Sequence, residues 1–345
     1  MGNKPFIFGN GNLSISRVRG DFLKESAMSH ISRRLFLGMS AAAAGGLVWG
    51  VPWAWSGKSQ SPETAKQRME MEKKQSIGLA LGAGGANGLA HIIMLEVFDE
   101  LGLVPDAIAG CSIGSIMGAL YASGKSAQEI KAIVDELVVR KDDTWKDVFL
   151  RKDLLQWIEF LDPEIGRGGF ISGDAFLAFL YEHIQVDSFE DLAIPLYVVA
   201  TDFWQREEVV YDFGPLLSAI QGSMALPGLF TPVRRDGRIL IDGGAVNPVP
   251  YDTLLESCQV TVAVDVTGLR SPKKDFSFLD TVFNTFQIMQ HSIVREKYAK
   301  HRPDIVITPD IVDVRALDFH RADIIFEQAG PARDKLKREL EALFI

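Results

Sequence analysis

Between Ile77 and Ala122 the chain runs twice through the same order of residue types: a short apolar run, a glycine-rich turn, then a stretch with helical spacing. Ile77–Leu81 reads as a strand, Gly82–Gly88 as the turn, and Leu89–Leu101 as a helix with apolar residues at 92, 93, 95, 97, 98 and 101. Pro105 opens a second strand, Ala107–Ala109, which leads into Gly110-Cys111-Ser112-Ile113-Gly114 and a small-residue helix ending near Ala122. Two strand–turn–helix units in succession predict a parallel sheet covered by helices, the α/β class. Both turns should then emerge at the carboxyl edge of the sheet, where ligands bind in such folds.

The remainder of the 345 residues supports one large α/β body behind a distinct leader. Residues 1–56 carry six basic and two acidic side chains, whereas the rest carries 30 basic and 43 acidic ones. An acidic body offers no polybasic surface, which argues against nucleic acid as a partner. Two cysteines, Cys111 and Cys258, make at most one disulfide, and no Cys/His spacing reads as a zinc site, so neither a metal nor a disulfide scaffold is expected.

Residues 1–27 show no periodicity and precede Met28, which reads as a disordered segment or an over-long start. Residues 28–56 read as a signal or signal-anchor. Ser32-Arg33-Arg34-Leu35-Phe36-Leu37-Gly38 resembles a twin-arginine signal, and no charge occurs from Leu35 to Trp55. The implied partner is the twin-arginine export machinery, and the implied location is the periplasm or the periplasmic face of the inner membrane. Residues 57–76 are polar and charged, as a tether would be, and residues 77–345 form the body.

The second turn carries the sharpest chemical signal. A serine in Gly-x-Ser-x-Gly between strand and helix sits on a tight turn that projects its hydroxyl above the sheet, so Ser112 is the candidate nucleophile. The competing reading makes Ser112 an N-cap and gives Gly110 and Gly114 a packing role. The first turn, Gly82-Ala83-Gly84-Gly85-Ala86-Asn87-Gly88, can bind phosphate, cradle an oxyanion or simply pack. It fails the strict dinucleotide fingerprint because position 87 is Asn. Acyl transfer needs backbone N–H groups aimed at a developing oxyanion, and Gly84 and Gly85 are the candidates.

A nucleophilic serine needs a base. Of the histidines in the body, His91, His183, His291, His301 and His320, none stands at the end of a strand. Asp242 does, after the apolar run Ile239–Ile241 and before Gly243 and Gly244. A carboxylate there is poised for partial burial, which raises its pKa toward that of a useful base; the competing reading is a plain turn former.

Gly82–His91 (GAGGANGLAH), Gly110–Gly114 (GCSIG), Ser223–Val233 (SMALPGLFTPV) and Asp242–Pro250 (DGGAVNPVP), in that order, resemble the patatin-like phospholipase family, its bacterial members above all. The resemblance implies a three-layer α/β/α sandwich with a mainly parallel central sheet. It also implies a Ser112–Asp242 dyad without histidine, an oxyanion hole at Gly84 and Gly85, and supporting roles for Gly82, Gly88, Gly110, Gly114, Gly243 and Gly244. The implied activity is hydrolysis of phospholipid or lysophospholipid acyl esters at a membrane surface, with neither calcium nor a cofactor. Two positions depart from the family's usual pattern, Asn87 for Arg or Lys and Ala83 for Gly, and the missing cation is expected to weaken loop ordering or phosphate affinity. A non-catalytic lipid- or nucleotide-binding protein on the same fold is the alternative. Residues 141–180 form an aromatic insert, around Trp145, Phe149, Trp157 and Phe160, expected to pack in the core or meet acyl chains.

Overall fold

The computed structural model describes residues 75–137, 174–269, 271 and 278–345. The expectations for the leader, for the tether as far as residue 74 and for most of the aromatic insert lie outside the described residues.

Strand β1 (Ile77–Leu81) alternates large and small side chains, IGLAL, and is buried on both faces. That is the pattern of a strand inside a covered parallel sheet. Its neighbours are β2 (Ala107–Cys111) and β7 (Val260–Val264), both parallel to it, and the parallel set is extended by β3 (Leu196–Asp202) beside β2 and β8 (Ile305–Ile307) beside β7. Three further strands, β4 (Glu207–Tyr211), β5 (Val233–Arg235) and β6 (Arg238–Asp242), complete an eight-stranded mixed sheet. β4 and β6 each pair antiparallel with β3, and β5 pairs antiparallel with β6.

The alternation along each strand sorts residues into two layers of packing. Leu79, Leu81, Ile108, Val198, Val262 and Val264 face the larger core, built with α1 (Ala90–Leu101), α2 (Ile113–Ala122), α3 (Ala127–Leu137), α4 (Asp174–Ile184), α5 (Leu216–Ser223) and α7 (Ala322–Phe344). Each fully buried Leu or Ile contributes about 1.5–3 kcal/mol there. Ala80, Ala107, Ala109 and Ala263 face the other side, where small side chains admit Tyr251 and Leu254 of a 3₁₀ turn and Val294 of α6 (Phe278–Lys300). The sheet therefore lies between two helical layers, the expected α/β/α sandwich.

One arrangement within the sheet positions everything that follows. β4 pairs with Val198–Asp202 of β3, β2 pairs with Leu196–Val199, and β6 pairs with Ala200–Asp202. A strand has two hydrogen-bonding edges, and β4 occupies one along residues 198–202. β2 and β6 must therefore share the other, end to end. β2 finishes at Cys111 opposite Val199, and β6, running the other way, finishes at Asp242 opposite Ala200.

The structure also corrects element boundaries. β2 runs two residues past Ala109 because Gly110 and Cys111 still pair with Val198 and Val199. The helix expected from Leu89 starts at Ala90, after a 3₁₀ turn over Gly85–Leu89. The C-terminal helix spans Ala322–Phe344 with Pro331 inside it.

Close packing of α2 on the strand ends depends on Gly114, where an added Cβ would lie 2.5 Å from the Leu81 carbonyl carbon and 2.9 Å from Gly82 O, backbone atoms that cannot swing aside. Gly330, within α7, has no other part of the fold within 4 Å of a Cβ; its immediate neighbour is Pro331. Urea denaturation should therefore separate the two: Gly114→Ala is expected to cost about 1–3 kcal/mol or more, whereas Gly330→Ala should change stability by less than about 1 kcal/mol, the helix propensity gained being opposed by the ring of Pro331 that follows it. Equal effects at the two positions would contradict the packing described.

Candidate active site

Ser112 follows β2 directly and takes φ 53°, ψ −122°, a conformation that L residues rarely adopt. Such strain costs about 1–3 kcal/mol and persists only where neighbours over-determine the backbone. Here they do. The Ser112 N–H donates to Ser223 Oγ at 2.9 Å, and its carbonyl accepts from the Ser115 N–H at 2.9 Å and the Ser115 hydroxyl at 2.6 Å. The Ser112 hydroxyl is left half-exposed at the start of α2, donating to Asp242 Oδ2 at 2.6 Å.

Asp242 closes β6 and is buried, 2% exposed. Its other carboxylate oxygen accepts from the Gly244 N–H at 2.7 Å, its own N–H donates to Ala225 O at 3.0 Å, and its carbonyl accepts from the Thr201 hydroxyl at 2.9 Å. Burial pushes the carboxyl up from its ordinary range to about 6, and the hydrogen bonds from Ser112 and Gly244 pull it part of the way back. Gly243 packs against the Val199 carbonyl, where no side chain has room, which lets the chain turn away from the sheet immediately after the carboxylate.

The glycine-rich turn lies beside this pair. Gly88 meets Ile113, the residue after Ser112, so closely that an added Cβ would lie 2.5 Å from Ile113 Cγ1. Backbone bonds tie the loop down on both sides: the Gly82 N–H donates to Val264 O at 3.0 Å, that of Ala83 to Pro248 O at 2.8 Å, and that of Ala86 to Ala316 O at 2.8 Å. Between these ties, among the described residues, the N–H groups of Gly84 and Gly85 have no acceptor. Gly85 adopts φ 57°. Gly110 lies against the backbone of Gly114 and Ser115, so the packing role weighed for these two glycines coexists with a half-buried serine between them.

His91 is fully buried, and its Nε2 lies 2.8 Å from Gly82 O. Burial pushes its pKa down to about 4, so the ring is neutral, donates Nε2–H to the loop and acts as a strut for it. Among the described residues no histidine hydrogen-bonds Ser112. Cys111 is buried against Ala83 and Val199, and burial followed by the charge of Asp242 raises its thiol well above the usual range, as befits a small core residue. Asn87 is turned inward, its amide donating to Thr267 O at 3.2 Å, so the side chain at this position anchors the loop.

Ser223, the last residue of α5, and Ala225 just beyond it hold Ser112 and Asp242 respectively. Sequence reasoning missed Ser223. Its one local signal was a hydroxyl at the end of a largely apolar helix, LLSAIQGS. Beyond it Leu226, Pro227, Leu229 and Phe230 are half-buried, and Gly228 takes φ 85° with open space around it.

Residues 79–255 match the patatin-like phospholipase family. An uncharacterized NTE family protein of Mycobacterium bovis is 32% identical over 216 residues, 62% of this chain and 56% of that protein. The lysophospholipase NTE1 of Saccharomyces cerevisiae is 27% identical over 277 residues, 73% of this chain and 16% of that protein. The crystal structure of VipD from Legionella pneumophila aligns with a TM-score of 0.44 at 15% identity, over 76% of this chain and 67% of that one. This chain thus spans little more than half the length of the mycobacterial relative and a small part of the yeast one. With the family match covering more than half of its residues, the chain belongs to the patatin-like phospholipase family.

Proposed function

We propose that the chain is a calcium-independent serine acyl hydrolase that cleaves ester bonds of phospholipids or lysophospholipids through a Ser112–Asp242 dyad. The observation that carries this reading is the 2.6 Å hydrogen bond from a strained, half-exposed serine to a buried carboxylate. Ser112 Oγ attacks the ester carbonyl carbon while its proton passes to Asp242 Oδ2. The carbonyl oxygen becomes an oxyanion, for which the unpaired N–H groups of Gly84 and Gly85 are donors. Collapse breaks the bond to the alcohol, which leaves with the proton held by Asp242, and the acyl group stays on Ser112. Asp242 then takes a proton from water, the resulting hydroxide attacks the acyl carbon, and the fatty acid departs as Ser112 regains its proton. A carboxylate that titrates near 6 is ionised at neutral pH yet basic enough to share the serine proton.

Similarity to the yeast lysophospholipase supports lysophospholipid as one substrate class. Lipid contact is supported by Phe203 and Trp204, 45% and 70% exposed at the turn between β3 and β4. They stand three and four residues beyond Ala200, the register partner of Asp242, and so about 10 Å past its level at ~3.3 Å per residue. Aromatic side chains so placed suit a membrane–water interface. The leader at residues 28–56 supports export, with the activity on the periplasmic side.

Hydrolysis of a short-chain p-nitrophenyl ester should fall by at least about a thousandfold in Ser112→Ala and about 10²–10⁴-fold in Asp242→Asn. Chelation of calcium should leave the rate unchanged. In the wild type kcat/KM should rise with pH through about 6, as Asp242 becomes ionised, and then level off. Wild-type rates in both variants would refute the dyad.

The same carboxylate should tax stability. Its folded pKa of about 6 lies above the unfolded value of about 3.9, so the folded state binds the extra proton and stability falls as pH rises from about 4 to about 6. Asn at 242 can accept from Gly244 and donate to Ser112 without a charge. Chemical denaturation should accordingly show Asp242→Asn to be about 1–3 kcal/mol more stable than wild type at pH 7.5 and nearly equal to it at pH 4. Lower stability at pH 7.5 would show that burial of the charge is not the penalty.

A further inference from the structure

The end of β2 contains a hydrogen bond with a hydroxyl inserted in it. In the β2–β3 ladder the Ile108 N–H donates to Pro195 O, the residue before its register partner Leu196. Two residues further along, Gly110 stands opposite Val198. The next donor in this period-two series is the Ser112 N–H, and its ladder acceptor is Val199 O. That bond is not made. Instead the Ser112 N–H donates to Ser223 Oγ at 2.9 Å, and the Ser223 hydroxyl donates to Val199 O at 2.6 Å. The carbonyl can only accept, so the Ser223 proton is committed to Val199 and a lone pair is left facing the Ser112 amide. Ser223 is fully buried, and the bridge is screened from water.

We propose that Ser223 is a positioning residue for the nucleophile: its hydroxyl acts as a spacer that holds the Ser112 backbone off the β3 ladder and so directs Ser112 Oγ to Asp242. This inference rests on the Ser112–Asp242 reading of the site and deepens it. Val199 is the register partner of Cys111, and the following residue, Ala200, is the partner of Asp242. The bridge thus sits at the junction where β2 leaves the edge of β3 and β6 takes it over. With the hydroxyl removed, either the Ser112 N–H and Val199 O are both left without partners, or the elbow falls back onto the ladder and draws its hydroxyl away from the carboxylate. Each result lengthens the Ser112–Asp242 contact without touching the substrate.

The Asp242 carboxyl reports that contact. Besides its own burial, the groups bearing on it are the Ser112 hydroxyl and the Gly244 N–H, and no charged side chain among the described residues contributes. The Ser112 hydrogen bond lowers the Asp242 pKa, so losing it moves the pKa upward.

The test uses the full-length chain with Ser223→Ala, Ser223→Cys and Ser223→Thr. Two readouts are taken: p-nitrophenyl ester kinetics, and the Asp242 titration followed by carboxyl ¹³C NMR, with circular dichroism to show which variants fold. Ala and Cys, which lack a strong hydroxyl bridge, are expected to lower kcat about 10- to 100-fold with KM nearly unchanged, and to raise the Asp242 pKa. Thr, which keeps the hydroxyl, should restore both. Should Ala or Thr fail to fold, Cys against wild type decides. A folded Ala or Cys variant with wild-type kcat and wild-type Asp242 titration overturns the proposal. Because the titration needs no turnover, an inactive wild type would refute the hydrolase reading while the NMR comparison still decides the role of Ser223.

Discussion

Two strands cannot occupy the same length of the same edge, and the candidate site follows from how this sheet resolves that competition. β4 takes one side of β3 from Val198 to Asp202, leaving β2 and β6 to divide the other. They approach from opposite directions and stop at adjacent positions, one opposite Val199 and the other opposite Ala200. Ser112 and Asp242 are 130 residues apart in sequence, yet each is fixed by the ladder to within one register step of the other. The rigid element that places both is a fully paired strand, which is why a hydrogen bond of 2.6 Å needs no flexible partner to close it.

Burial then sets the chemistry. The walls that exclude water from Asp242 also raise its pKa, and the two hydrogen bonds it accepts prevent the rise from going further. The result is a carboxylate that titrates close to neutrality, the property most serine hydrolases obtain from histidine. The nearby histidine is put to another use. His91 is neutral and tied to Gly82 O, and it steadies the loop whose Gly84 and Gly85 amides stay unpaired. The strain at Ser112, the buried charge at Asp242 and the unpaired loop amides are all locally unfavourable, and they stand together where a substrate ester would meet them.

Much of the fold is written locally in the chain. Ile77–Leu81 is delimited by its own alternation and by the glycines that follow, and the structure keeps those bounds. The glycine pattern around Ser112 and the run before Asp242 likewise mark strand ends without reference to anything distant. Features set by pairing were less legible. Gly110 and Cys111 belong to β2 only because Val198 and Val199 are beside them, and Gly85–Leu89 winds into a 3₁₀ turn because Ala86 and Gly88 are held by Ala316 and Ile113. The last helix continues past Pro331 because its apolar face runs on through Leu336 and Leu340, and burial of those side chains carries it to Phe344. Ser223 was hidden for a different reason. A hydroxyl that replaces one ladder bond leaves no periodicity, and its role emerges only when donor and acceptor are both seen.

In this site the Ser112 hydroxyl alone is proposed to be activated for attack on an acyl carbon. Treatment of the full-length chain with a fluorophosphonate, followed by intact-mass and peptide mass spectrometry, tests it most directly. A single adduct is expected, located on Ser112 and absent from protein in which Asp242 has been replaced. An adduct on another residue, or ester turnover by protein that takes up no label, would contradict it.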